Sequence, residues 1–208
     1  ILGDIMWGLN LAVQGAIVGR LGAASIAAVS IANNAFSILS VGVYGTANAS
    51  AVIIGNAVGE GDIDKIKRYT KKLQLIFLGV GVLTGLLIFA MKDYVLMLYD
   101  LNEETLQIAR SLLIVLSATV IGTSYQMSTL TGIVRAGGST SFVLINDSIF
   151  VWLVVIPLSC ITAFVVKAPT WVVYLCLKID QILKCSVAVV KVNRFNWIKK
   201  LTKEFKAA

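Results

Sequence analysis

The sequence predicts an all-α integral membrane protein, a bundle of six transmembrane helices. Of its 208 residues, 58% are hydrophobic and 14% charged, where soluble domains carry about 25% charged residues. Mean hydropathy is +0.87. The cations are also clustered: of 18 Lys and Arg, five lie between Lys65 and Lys72 and six between Lys191 and Lys206. Long apolar stretches separate these clusters, as hydrocarbon requires.

The first predicted span runs from Ile1 to about Val18 and ends at Gly19-Arg20-Leu21-Gly22. Its opening at Ile1, inside an apolar stretch and without Met, leads to the expectation that the natural start lies upstream. The second span, about Ser25 to Val58, is long enough to tilt or to project from the bilayer. After "GEGDIDK" and the basic "KIKRYTKK", a third span covers about Leu73 to Met91. "KDYVLMLYDLNEE" then reads as an interfacial stretch with tyrosines at headgroup level. Spans four, five and six cover about Leu106 to Val134, Ser139 to Val166 and Thr170 to Val192. The domain division is therefore a transmembrane lobe over 1–192 and a basic, amphipathic tail over 193–208 lying on the inner membrane surface.

Loop charges set the expected orientation. With the 59–72 loop and the tail inside, twelve Lys and Arg are cytoplasmic and four (Arg20, Lys92, Arg110, Lys167) are outside. An even number of spans then places both termini in the cytoplasm. The net charge of +7 is this loop bias and not a nucleic-acid surface.

Enzyme classes find little support. Histidine is absent, which removes His-based triads and the usual zinc sites. No GxxxxGK[ST] or GxGxxG loop occurs, so no cofactor is expected. Cys160, Cys176 and Cys185 form no CxxC pair and sit in apolar runs, where cysteine serves as a small hydrophobe.

Polar residues inside the spans are patterned. Asn33, Ser37, Ser40, Tyr44 and Asn48 follow 4-3-4-4 spacing, one face of a helix. Asp4, Trp7, Leu11 and Gln14 share a face of the first span, and Thr119, Thr123 and Gln126 one of the fourth. Each stripe alone fits interhelical packing by polar residues; three together point to a common polar interior. The glycine pairs Gly55–Gly59 and Gly81–Gly85 have the spacing of close helix contacts.

Asp4, Asp147, Asp180, Lys178 and Lys184 lie well inside the spans. Asp180 and Lys184 are four apart and can pair along one helix. Lys178 is within snorkelling reach of the outer surface. Asp147 has no cation at i±3 or i±4 and too short a side chain to snorkel. Three acids against two bases leave one carboxylate over, the composition of a site for a proton, a sodium ion or a cationic solute. A water-bridged packing aspartate is the alternative. Pro157 predicts a kink in the fifth span, either a hinge or a fixed bend.

"DIMWGLNLAVQGAIVGRLG", "SIAAVSIANN" and "AVIIGNAVGEGD" resemble the start of the second half of MATE (multidrug and toxic compound extrusion) transporters. "GIVRAGGSTSFVLINDSIFVWLVVIPL" resembles the family's G-x-x-R-x-G-G-D-T stretch followed by Asp, Trp and Pro-Leu. "VYLCLKIDQILKCSVAVVKVNRFNWIKKL" is similar to the C-terminal end of many bacterial members. The resemblance implies one lobe of a two-lobe, twelve-helix transporter. Such a transporter exports organic, often cationic, compounds in exchange for protons or sodium ions. It implies partners too: the bilayer, and an N-terminal lobe in the same chain or a partner half. By resemblance Asp4 stands where the family usually has a cation- or substrate-binding Glu, and Asp147 and Trp152 match the Asp and Trp of the eleventh span. Ser139 replaces the Asp of Gly-Gly-Asp-Thr, and Thr123 stands where some members carry a coupling carboxylate.

These observations lead to the C-terminal lobe of a multidrug efflux antiporter working by alternating access. Asp4, Asn33, Gln126, Asp147 and Asp180 are the candidate cation or substrate residues, supported by Trp7, Gln14, Tyr44, Trp152, Lys178 and Lys184. The alternatives are a lipid-linked saccharide flippase of the same superfamily and a non-transporting scaffold or defunct fragment.

Overall fold

The computed structural model describes residues 2–198, and for residues 2–4 their backbone alone. These residues are all-helical apart from short turns, as composition demands: in hydrocarbon, a helix satisfies its own backbone polar groups. Helix α1 spans Leu2–Gly19, α2 Ala23–Leu39, α3 Val41–Glu60, α4 Ile63–Met97 and α5 Glu103–Met127. A widened turn, Ser128–Val134, continues α5. The next span begins as α6, Thr140–Ile149, and resumes as α7, Ile156–Cys160, with α8 at Thr170–Asn193.

The helix boundaries have local causes. Gly22, at φ 104°, turns the chain from α1 into α2 in a conformation disfavoured for a Cβ-bearing residue. Asp62 accepts a hydrogen bond from the Lys65 backbone N–H at 2.8 Å and so caps α4. Asn102 does the same for α5 through the Thr105 N–H at 2.9 Å.

Two expected helices are irregular. The second predicted span is interrupted at Ser40, whose hydroxyl donates back to the Phe36 carbonyl. Such back-bonding bends helices, and here it separates α2 from α3. The fifth span carries widened turns at Phe150–Val155 and Ile161–Val165, on either side of Pro157. Proline lacks an N–H and its ring crowds the carbonyl four residues back, so the turn before it opens.

Among the described residues, four helical segments are long and apolar enough to cross a membrane: Val41–Glu60, Ile63–Met97, Glu103–Val134 and Thr140–Val165. Helix α8 has the length, at 24 residues, but is interrupted by Lys178, Asp180 and Lys184. Its fold answers those charges with partners, as described below.

Helices α4 and α5 share the most extensive contact. A Cβ on Gly85 would stand 2.6 Å from the Ser117 carbonyl oxygen, and one on Gly81 would stand 3.0 Å from the Ser124 Cβ. The Gly81–Gly85 pair is thus a true helix contact, whereas Gly55 and Gly59 have no neighbour within 4 Å of such a Cβ. One core gathers Ile54, Phe77, Leu130, Ile133 and Trp197 at the basic end. A second holds Ala28, Ile88, Leu112, Leu116 and Tyr174.

Residues 199–208 of the expected surface tail lie outside the described residues. Its first part turns into the bundle, with Trp197 fully buried. The Trp197 indole donates to the Val192 carbonyl at 2.9 Å, and its own carbonyl accepts from the Ser139 hydroxyl at 3.0 Å. Ser139 therefore ties the start of α6 to the segment after α8.

Candidate functional site

The site is built on one face of α8. Tyr174, Leu177, Asp180, Lys184, Ala188 and Val192 are buried at intervals of three and four, the stripe a helix turns toward its neighbours. That face packs against α5 and against the widened turn that follows α6. Two ionised side chains are thereby carried into the bundle. A buried charge persists only when paired and hydrogen-bonded.

The pairing is supplied from two directions. Lys184 Nζ lies 2.9 Å from Asp180 Oδ2, one turn earlier on α8, and 2.9 Å from Asp147 Oδ1 on α6. The Lys184 and Asp180 side chains are 3% and 5% exposed, while that of Asp147 is 47% exposed. Asp147, with no cation at i±3 or i±4 of its own helix, is thus paired across helices. Its partner comes from another helix, beyond the reach of i±3 and i±4 reasoning.

A hydrogen-bonded chain extends the pair toward α5. The Gln126 side-chain amide donates to Gln181 Oε1 at 2.7 Å. Gln181 in turn donates to both Asp180 oxygens at 3.1 Å. Asp180 is left with its charge shared between an ammonium and an amide. Buried lysine and aspartate are satisfied, and Asp147 keeps an accessible face. Counted formally, one lysine against two aspartates gives this cluster a net charge of −1.

Lys178 belongs to a different environment. Its Nζ lies 5.5 Å from the Tyr174 ring centroid and 5.9 Å from that of Phe36. The Tyr174 hydroxyl donates to Asn33 Oδ1 at 3.4 Å. Two ring faces therefore flank this ammonium, which makes no ion pair within 4 Å among the described residues.

The expected common polar interior divides. Asn33, Ser37, Tyr44 and Asn48 are exposed on α2 and α3, whereas Ser40 is buried at the break. The α5 stripe points inward, with Thr119 buried and Gln126 bonded toward α8. Thr123 donates to the Thr119 carbonyl of its own helix. On α1, Trp7 is exposed, and Gln14 donates to Asn10 Oδ1 at 2.8 Å. Asn10 is buried and was not singled out in the sequence, although its four-residue spacing from Gln14 was a usable signal. Trp152 is half-buried on the widened turn after α6. The Asp4 side chain lies outside the described residues. Asn146, beside Asp147, is buried with its side-chain Nδ2 unpartnered among the described residues.

With this geometry in place, the comparisons decide the family. The MatE family model matches residues 5–161. The chain belongs to the MatE family. Three solved structures share its fold, each at 16% identity, a TM-score of 0.85 and 99% coverage of this chain. One is a MOP superfamily transporter from Pyrococcus furiosus, whose binding pocket of reverse polarity is described as suggesting a different function. Another is a MATE in complex with MaD5, and the third a multidrug resistance MATE family transporter of the MOP superfamily in an outward-facing conformation. This MatE chain spans about half the length of those proteins, 46% to 47%. No curated protein matches it at a significant level.

Proposed function

We propose that the chain is the C-terminal lobe of a secondary antiporter that exports organic cations in exchange for protons or sodium ions. The carrying observation is Asp147, a half-exposed carboxylate within an apolar helix, backed by a lysine that two acids share. Family membership supports transport, and the carboxylate supports a cationic cargo. A cation approaching from the open side meets Asp147 first, with Asp180 held behind Lys184. Asp4, by its resemblance to the family's seventh-span Glu, serves as a second carboxylate.

The exposed stripe of Asn33, Ser37, Tyr44 and Asn48 supports the remainder of the reading. Polar side chains gain little from lipid tails, so this face suits a watered cleft closed by another lobe. Rocking of the two lobes then exposes the site to each side in turn. The cation excess at the 65–72 end supports a cytoplasmic location for that end and both termini, in an inner membrane. A saccharide flippase would need free cations for a pyrophosphate. Lys184 is taken up by two carboxylates and Lys178 by two rings, which favours the antiporter.

The test is Asp147→Asn in the full-length transporter that carries this chain. At matched expression, gradient-driven efflux of ethidium falls to near background. Efflux equal to wild type would reduce Asp147 to a packing residue and remove the reading's main support. Cysteine labelling at Asn102 from outside, and at Asp64 from the cytoplasm, checks the orientation.

A further inference from the structure

The cationic site proposed above already contains a cation. Lys184 Nζ stands 2.9 Å from a carboxylate oxygen on each side, the separation at which a free ammonium ligand would also bind. One partner is permanent in kind: Asp180 lies on the same helix at i−4, is buried, and is further held by Gln181. The other is not. Asp147 belongs to a different helix and is open on one side. The two bonds therefore differ in how readily another cation can replace the lysine.

We propose that Lys184 is a tethered counter-ion that sets the charge preference of the site. It holds Asp147 and Asp180 at a net charge of one negative, so that this cluster takes one positive charge at a time. An entering monocation binds Asp147 in place of the Lys184 ammonium, which keeps its bond to Asp180. Removing the lysine leaves two carboxylates in one low-dielectric place, a site with charge −2 that favours dications. The reasoning is charge balance: in a buried site, uncompensated charge is costly, and the best-bound ligand is the one that cancels it. Lys184 is on this account a specificity-determining residue. The inference rests on the reading that Asp147 receives the exported cation.

Ethidium and propidium test it, because they share a ring system and differ in carrying one and two positive charges. Their binding to the purified full-length transporter is measured by fluorescence for wild type and five variants. Lys184→Gln raises propidium binding relative to ethidium by about tenfold, the effect of one added charge within several ångströms in a partly screened site. Lys184→Gln combined with Asp180→Asn returns the net charge to −1 without the lysine, and restores the wild-type ratio. It also removes the buried unpaired acid, so the test survives if the single variant is unstable. Lys184→Arg and Asp180→Asn alone complete the set, the first with the wild-type ratio and the second with weakened binding of both dyes. Asp147→Asn abolishes binding of both.

A propidium-to-ethidium ratio unchanged in Lys184→Gln, with Asp147→Asn still abolishing binding, overturns the charge-setting role and leaves the site itself standing. A double variant that keeps the altered ratio shows that the lysine's shape and not its charge matters, and also overturns it. Binding of both dyes by Asp147→Asn as by wild type instead defeats the underlying cation-site reading. The two failures are therefore distinct.

Discussion

Lys178 and Lys184 lie less than two turns apart on one helix, and the fold treats them in opposite ways. Lys184 is placed between two carboxylates at 2.9 Å and its charge is cancelled locally. Lys178 rests against the faces of Tyr174 and Phe36, where quadrupoles attract a cation without neutralising it. An ammonium held by carboxylates can be replaced by another cation, because what remains is still a cation site. Rings that lose an ammonium still attract a cation, but they leave no negative charge behind. Residue type alone therefore does not say whether an intramembrane lysine is structural or part of a binding site; the chemistry of its partners does.

This contrast makes the two lysines separable by experiment. The largest effect is expected at Lys184. Lys184→Met leaves Asp180 buried without its ammonium, and breaking such a pair costs about 3–5 kcal/mol. Thermal unfolding in detergent reads this loss, and Asp180→Asn in the same chain recovers most of it. A Lys184→Met protein as stable as wild type would break the comparison, since the lysine would then not be neutralising a buried acid.

Asp147→Asn separates function from stability. Its side chain is 47% exposed, so the pair with Lys184 is partly screened and its loss costs about 1 kcal/mol or less. Efflux, by contrast, falls to near background. Unfolding temperature and ethidium transport measured on one preparation place the two effects side by side.

Lys178→Met comes next, at about 0.5–2 kcal/mol for a cation lost from ring faces. It leaves the ratio of propidium to ethidium binding where it was. A shift in that ratio would place Lys178 within the field of the site and erase the distinction drawn here. Gln126 tests the neutral end of the network. Gln126→Leu removes one neutral hydrogen bond to Gln181, worth about 1 kcal/mol, read by the same thermal unfolding.

How far the sequence reached follows from which contacts are local. The Asp180–Lys184 pair was legible, because four residues on a helix make one turn. The Gly81–Gly85 contact was legible for a related reason: only small residues permit the approach that α4 and α5 make. The link from Lys184 to Asp147 was not legible, since it depends on how α8 meets α6. Nor was the inward turn of Trp197, which composition assigned to a membrane surface and packing placed in the core. Ser40 looked like a member of a continuous stripe; its hydroxyl bond to the Phe36 carbonyl instead marks where the helix breaks.

By itself, then, the sequence determined the helical class, the membrane solvent, the ends of most helices and the residues too polar to be left in lipid. These are properties of short windows: hydropathy over a span, a cap beside its helix, a charge four residues from another. Tertiary structure alone decided which polar residues of different helices meet. It turned the α5 stripe toward α8, left the α2 and α3 stripe exposed, and assigned Lys184 to two acids and Lys178 to two rings. The physical reason is that desolvation makes every buried charge seek a partner, while only the packing of distant helices fixes which partner lies within 3 Å.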